Sequence, residues 1–338
     1  MDLARQFRGR SLLTLTDLTD GEMLYLLDTA AALKAKKKAG ERGMLLDRKN
    51  IALIFEKSST RTRCAGAVAA YDEGGQTEYL TPQDIHLGKK ESVPDTARVL
   101  GRMFDGILFR GFKQETVDAL AKYSGVPVWN GLTDSNHPTQ ALADLLTIRE
   151  QFGRLRGLKV VYIGDGRNNV ATSLMLGCAK AGTHFVNCTP AELEPNAKLV
   201  RWCQERAQLN EATVTVAHDP AAAVAGANVV YTDVWVSMGE EAQQDARLAL
   251  LRPYQVNMDL MRKTGNLETR KVIFLHCLPA FHDTNTEITR DCGALEVTDE
   301  VFNAAFSLVF DQAENKMHTL KALFVATMGT GKTADRRL

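Results

Sequence analysis

The chain has 338 residues, enough for two domains of ordinary size, and its 45% apolar and 24% charged content excludes a disordered chain. Lys plus Arg and Asp plus Glu both total 41, so no global field recruits nucleic acid or an anionic membrane. No apolar run approaches the ~20 residues that a membrane span needs, and Asp2, Arg5, Arg8 and Arg10 break up any signal-peptide core. The six cysteines form no zinc spacing, so they read as reduced thiols in a protein without structural metal. The expected location is the cytoplasm, with a mature organellar form left open.

In chain order, residues 17–39 follow helical spacing, with Asp17, Thr19 and Asp20 as candidate caps. Ile51 to Phe55 is a short, β-prone apolar run, and Cys64 to Tyr71 is rich in small helix formers. Between them lies Ser58-Ser-Thr-Arg-Thr-Arg63. A strand feeding a helix through hydroxyls and two arginines collects free N–H groups, hydroxyls and guanidinium forks at a helix N-terminus, which suits a phosphate or carboxylate. The plainer alternative is a Ser/Thr cap with surface arginines, although capping needs one such residue rather than six.

Gly74-Gly75 breaks the helix, and Thr77 to Leu80 reads as a strand. Residues 81–91 form a polar surface loop, and Ser92 or Asp95 starts a helix through Arg102. A strand at 106–110 ends in Arg110, followed by a helix over 114–123 and a strand over 126–129. His137 to Gln151 is a well-marked helix with Pro138 near its first position. His137 and Gln140, three apart, share an edge of its first turn.

After residues 152–157, which read as a domain crossing, strands at 158–163, 184–188, 213–216 and 228–231 and helices at 170–181 and 196–209 alternate again. The strand over 272–275 leads into His276-Cys-Leu-Pro-Ala280, and 314–328 is a final amphipathic helix. The fold class is α/β: two doubly wound domains, each with a central parallel sheet, joined by interdomain helices. Their expected extents are 1–150 and 151–313, with helix 314–328 packing back on the first.

Two motif readings fail on spacing. Gly164-Asp-Gly166 follows a strand, but Asn169 stands where a dinucleotide fingerprint needs glycine, and no acidic residue ends the next strand. Asn168 and Asn169 then read either as polar contacts for a small ligand or as ordinary turn residues. Gly329 to Thr333 looks like the end of a phosphate loop, but Ala326 stands where its first glycine belongs and a helix precedes it. Cys277 beside His276 lacks a triad orienter, and neighbours on an extended chain point to opposite faces. A buried structural cysteine and a functional one at the strand end are both open readings.

Taken together, Phe55 to Arg63, His137-Pro-Thr-Gln140, Asp233-Val-Trp-Val-Ser-Met-Gly239 and His276 to Phe281 resemble the ornithine branch of the aspartate/ornithine transcarbamoylase family from about residue 7 to residue 328. The resemblance implies transfer of a carbamoyl group from carbamoyl phosphate to the side-chain amine of L-ornithine, without cofactor or metal. It assigns the phosphate to Ser59, Thr60, Arg61 and Thr62, and the carbamoyl end to Arg110, His137 and Gln140. By the same pattern Arg110 and His137 stabilise the developing oxyanion. His86 matches a position that reaches a neighbouring subunit's site, which implies a homotrimer or an assembly of trimers. Asn169, Asp233, Ser237 and Met238 match ornithine-binding positions, and Cys277 and Leu278 sit where both substrates meet. Cys277 is there a positioning or proton-handling group rather than a nucleophile. Lys316 departs from the family's arginine, keeping the charge and losing the planar fork. The alternatives are a transcarbamoylase for another amine such as putrescine, or a catalytically silent regulatory homologue.

Overall fold

A computed structural model describes residues 3–235 and 244–329. Ser237, Met238 and the tail from Thr330 therefore lie outside the described residues. The chain divides into two compact units, one running to Leu146 and resuming at Glu314, the other spanning Thr147–Ala313.

In the first unit α1 (Leu3–Gln6) and α2 (Asp20–Lys38) precede a βα alternation. Thr19 caps α2 reciprocally with Glu22, which selects it from the three candidate caps. The alternation runs β1 (Asn50–Phe55), α3 (Thr60–Tyr71), β2 (Gln76–Leu80), α4 (Val93–Met103), β3 (Gly106–Arg110), α5 (Gln114–Ser124) and β4 (Val128–Leu132). The strands are parallel in the order β2-β1-β3-β4. Ile51 to Phe55 and Ile107 to Phe109 are buried throughout, because helices cover both faces of a parallel sheet. From β1 the chain first adds β2 on one side and then β3 on the other. The connections therefore diverge at the carboxyl ends of β1 and β3, the place where open α/β sheets form crevices. Phe55 and Arg110 are register partners there.

β4 begins two residues later than expected. Pro127 has no N–H to give a ladder; its carbonyl accepts from Ile107 N–H at 2.9 Å just before the paired strand starts. A register shift between Phe109 and Arg110 bends the β3–β4 ladder at the arginine, as bulges beside functional residues do. α6 (Pro138–Phe152) follows, and the division between the units falls inside it.

The second unit holds five parallel strands, β5 (Lys159–Ile163), β6 (His184–Cys188), β7 (Val214–Ala217), β8 (Val229–Thr232) and β9 (Ile273–His276), in the order β7-β6-β5-β8-β9. α7 (Asn169–Ala181), α8 (Ala197–Leu209) and α9 (Pro220–Val224) make the early crossovers, and α10 (Gln244–Leu251) and α11 (Met258–Lys263) stand between β8 and β9. Here the connections diverge between β5 and β8. α9, α10, α11 and the short α12 (Asp299–Phe302) are elements that hydrophobic periodicity does not mark, because four to eight residues are too few to repeat a helical pattern.

The last helix, α13 (Val309–Met328), starts five residues earlier than its amphipathic pattern suggests. From Glu314 onward it belongs to the first unit. Phe324 meets Trp129 with ring centroids 4.5 Å apart, and Lys34 Nζ donates to Asn315 Oδ1 at 2.7 Å. Gly106 makes room for this packing, since a Cβ there would come within 2.3 Å of the Trp129 ring.

Candidate active site

In the first unit the hydroxyl-rich stretch is the first turn of α3. Ser59 has extended backbone and caps the helix by accepting from Thr62 N–H at 3.2 Å. One residue thus satisfies the cap, and the remaining hydroxyl and cationic groups stand at a helix start where backbone N–H groups are available to an anion. The two arginines differ. Arg63 is exposed and lies on the Tyr79 ring at 3.7 Å. Arg61 is half-buried, and its positive field reaches His137. Thr62 is buried and Thr60 exposed. His86 is exposed in the loop after β2.

A second cluster lies beside it. His137 precedes α6, and its carbonyl accepts the N–H groups of Gln140 and Ala141. Lys316 reaches in from α13, with Nζ 3.1 Å from both His137 Nε2 and Gln140 Oε1. Gln140 passes the chain on, its Nε2 donating to Asp144 Oδ1 at 2.8 Å. His137, Gln140 and Lys316 are all buried. An ammonium can only donate, so His137 Nε2 accepts and the ring proton sits on Nδ1, 3.4 Å from Thr139 Oγ1. Burial first, and then the charges of Lys316, Arg110 and Arg61, hold the imidazole well below its ordinary range, so it is neutral near pH 7. The expectation that His137 donates to an oxyanion changes accordingly: in this arrangement its Nε2 accepts, and Lys316 is the donor.

In the second unit three strand ends supply the polar groups. Thr232 of β8 is the register partner of Ile163 of β5 on one side and His276 of β9 on the other. The residues that follow, Asp233 and Cys277, are thereby neighbours, and the Cys277 thiol donates to Asp233 Oδ1 at 3.0 Å. Asn168 caps α7 by accepting from Val170 N–H at 2.7 Å, while its Nδ2 donates to Asp233 Oδ2 at 3.0 Å. Asn169, singled out from the sequence, is the half-buried first residue of α7. Asn168 is the one that ties the β5 loop to the carboxylate, and its signal in the sequence is a cap-type residue at the end of the glycine loop. Below it, Arg247 donates to Asp165 Oδ2 at 2.5 Å and to Trp235 O at 3.0 Å. Sequence patterning does not reveal this pair, because the partners are 82 residues apart.

Leu278 follows Cys277 with a left-handed backbone, φ 61°, and its peptide bond to Pro279 is cis. The other cysteines divide by environment. Burial pushes the thiols of Cys188 and Cys203 up to about 12, which makes them inert core residues, whereas Cys64 and Cys292 are exposed. Among the described residues two groups bring possible metal-ligand atoms within 4.8 Å of one another, Asp233-His276-Cys277 and His282-Asp283-Asp299. In both, those side chains already hydrogen-bond within the protein. A cavity of about 690 Å³ near Tyr25, Lys36, Glu73 and Lys321 contains none of the residues singled out above.

Two family models cover most of the chain. The carbamoyl-P binding domain of aspartate/ornithine carbamoyltransferase matches residues 10–150, and the Asp/Orn binding domain matches 156–327. The chain belongs to the aspartate/ornithine carbamoyltransferase family. This carbamoyltransferase is 55% identical over 335 residues, covering 97% of this chain and 99% of the relative, to a protein of Bacillus licheniformis named catabolic ornithine carbamoyltransferase. It is 57% identical to one of the same name from Bacillus thuringiensis, with 95% and 97% covered. Among solved structures, ornithine carbamoyltransferase from Pyrococcus furiosus aligns with a TM-score of 0.88 at 44% identity, with 95% and 98% covered. The anabolic enzyme of Campylobacter jejuni aligns at 0.83 and 33% identity, with 93% and 97% covered.

Proposed function

We propose that this carbamoyltransferase acts on L-ornithine, moving the carbamoyl group of carbamoyl phosphate to its side-chain amine and releasing L-citrulline and phosphate. The observation that carries the reading is the Asp233 carboxylate, buried at the end of β8 and joined to both Asn168 and Cys277. A fixed anion there suits the α-ammonium of an amino acid, and together with Ser237 and Met238 it fits a full amino-acid head group, whose α-carboxylate putrescine lacks. The names of the relatives that share more than half their residues with this chain support the same substrate.

In this reading Ser59, Thr60, Arg61 and Thr62 hold the phosphate, and Arg110, Gln140 and Lys316 surround the carbamoyl group. The neutral δ-amine attacks the carbamoyl carbon, and a C–N bond forms as charge moves onto the carbonyl oxygen. The C–O bond to phosphate then breaks, phosphate leaves with the bonding pair, and the amine releases a proton. Arg110 and Lys316 supply donors for the oxygen; a single such donor is typically worth about 10²–10³ in rate. His137, neutral, holds the Lys316 ammonium in place. Asn169, Asp233, Ser237 and Met238 receive the amino-acid head group, and Cys277 and Leu278 lie where the carbamoyl group and the δ-amine meet. His86 completes a neighbouring subunit's site in a homotrimer. The cytoplasm is the proposed location, with a mature organellar matrix as the alternative. No helix among the described residues is long and apolar enough to cross a membrane. The catabolic names of the Bacillus relatives favour the citrulline-consuming direction in the cell.

The test is citrulline formation with saturation curves for both substrates, run beside putrescine, N-acetylornithine and aspartate. Ornithine should be preferred by a wide margin. Preference for any of the other amines overturns the reading.

A further inference from the structure

The turn after β9 is held by a residue that the reaction does not touch. Glu296 is completely buried, and the two hydrogen bonds of its side chain go to His276 at the end of β9 and to Phe281 across the turn. Its Oε1 accepts from Phe281 N–H at 2.7 Å and lies 3.1 Å from His276 Nε2. Oε2 is buried and meets no hydrogen-bond partner. On the other side of the ring, Leu278 N–H donates to His276 Nδ1 at 2.9 Å. Nδ1 is therefore the bare nitrogen, and Nε2 carries the proton that goes to Glu296. The backbone N–H of His276 is fixed separately, by Gln312 Oε1 at 3.0 Å.

The anchor is itself rigid. Gln255 Nε2 donates to the carbonyls of Ala294 and Leu295, at 3.1 and 2.7 Å, and Val256 N–H donates to the Glu296 carbonyl at 2.9 Å. Thr298 N–H returns to the Val256 carbonyl at 3.0 Å. Burying a carboxyl group is costly unless hydrogen bonds offset the lost water. Here the offset comes entirely from the turn that bears Cys277 and Leu278.

We propose that Glu296 is a positioning residue for carbamoyl transfer: it fixes the His276 ring so that Nδ1 receives the Leu278 N–H, and with its bond to Phe281 N–H sets the turn that presents Cys277 and Leu278. The inference rests on the functional reading above for its link to the reaction. Its contacts lie wholly within the second unit, so its removal should spare the phosphate side.

The experiment compares Glu296→Ala, Glu296→Asp and Glu296→Gln in the full chain. Glu296→Ala should lower kcat about 10²-fold, the scale of an ångström-sized misplacement, and raise the ornithine KM. Carbamoyl phosphate affinity by calorimetry should fall far less, because Ser59 to Thr62, Arg110 and Lys316 in the first unit hold most of that substrate. Glu296→Gln keeps an oxygen for both donors and should retain kcat within about tenfold. Glu296→Asp keeps the carboxyl group but withdraws the oxygen by one methylene, and should behave like alanine. Iodoacetamide labelling, mapped by mass spectrometry with Cys64 as the internal reference, gives a readout independent of activity. Cys277 labelling should rise roughly tenfold in the alanine or aspartate variant, as local opening of the turn becomes easier. If alanine does not fold, the aspartate–glutamine contrast decides. Aspartate near wild type with glutamine inactive would mean that the carboxyl group matters and its position does not, which overturns the proposal. A loss of carbamoyl phosphate affinity as large as the rise in ornithine KM, or unchanged Cys277 labelling, overturns it as well. An unmodified protein that makes no citrulline sinks the functional reading alone, because Cys277 labelling still reports the hold of Glu296 on the turn.

Discussion

The two units build their polar clusters in opposite ways. In the second, Asp233 and Cys277 are the residues just after adjacent strands, and strand register brings them together across 44 residues of chain. In the first, Lys316 and His137 are 179 residues apart, and the side chains meet only because α13 packs against the sheet that α6 follows. The charges are opposite too. The first cluster centres on one buried and two half-buried cations around a neutral imidazole, the second on a buried carboxylate. Register makes the second arrangement robust to changes elsewhere, whereas the first depends on how a distant helix docks.

The largest expected effect that tests this division comes from Asp233→Asn. The new amide would set its NH2 against the Asn168 NH2, whose own oxygen is committed to capping Val170 N–H. Loss of the charge and of that bond should raise the ornithine KM roughly 10–100-fold, the range of a charge-assisted hydrogen bond, with carbamoyl phosphate affinity nearly intact. Equal loss of both affinities would erase the division of labour between the units.

A smaller effect is expected from Lys316→Arg. The lysine is a point charge shared between His137 Nε2 and Gln140 Oε1. A planar fork grips an oxyanion more firmly, so the carbamoyl phosphate KM should fall a few-fold and the ornithine KM should stay put. An unchanged or raised carbamoyl phosphate KM would show that the pocket is fitted to lysine.

The smallest effect concerns pH. In the first unit, burial is the leading cause that lowers the ring pKa of both His137 and His318, against a Glu314 bond that raises the latter. Both rings gain protons more readily when unfolded. Their contribution is full above the ordinary value of 6.5 and is lost as pH falls below it toward the lowered folded values. Hydrogen exchange at about pH 7.5 and about pH 5.5 should show α6 and α13 losing protection before the β5–β8 strands do. Simultaneous loss in both units would contradict this.

Much of the architecture is legible in the residues themselves. Ile51 to Phe55 and Val160 to Ile163 read as buried strands because their apolar runs are continuous, and Ser59 reads as a helix start because its oxygen can satisfy an orphan N–H. Ser59, Arg110, Asp233 and Cys277 could be put at or just after strand ends from order alone. The short helices α9 to α12 left no periodic trace, and Pro127 delayed β4 by withholding a donor. Asn168 rather than Asn169 as the partner of Asp233 could not be read from two adjacent asparagines, since capping geometry decides which side chain turns inward.

By itself, the sequence determined two α/β alternations and a hydroxyl-rich, cationic helix start at Ser59 to Arg63. It also set a carboxylate and a thiol after two late strands. These follow from local periodicity, capping chemistry and strand length, which act over a few residues. Tertiary structure alone decided that the Arg61 charge reaches His137 while Arg63 lies on Tyr79. It also decided that the Lys316 ammonium makes His137 Nε2 an acceptor, and that Glu296 holds the Cys277 turn from behind. Each of these depends on groups far apart in the chain meeting in a place without water, where a proton's position follows from the partner that packing supplies.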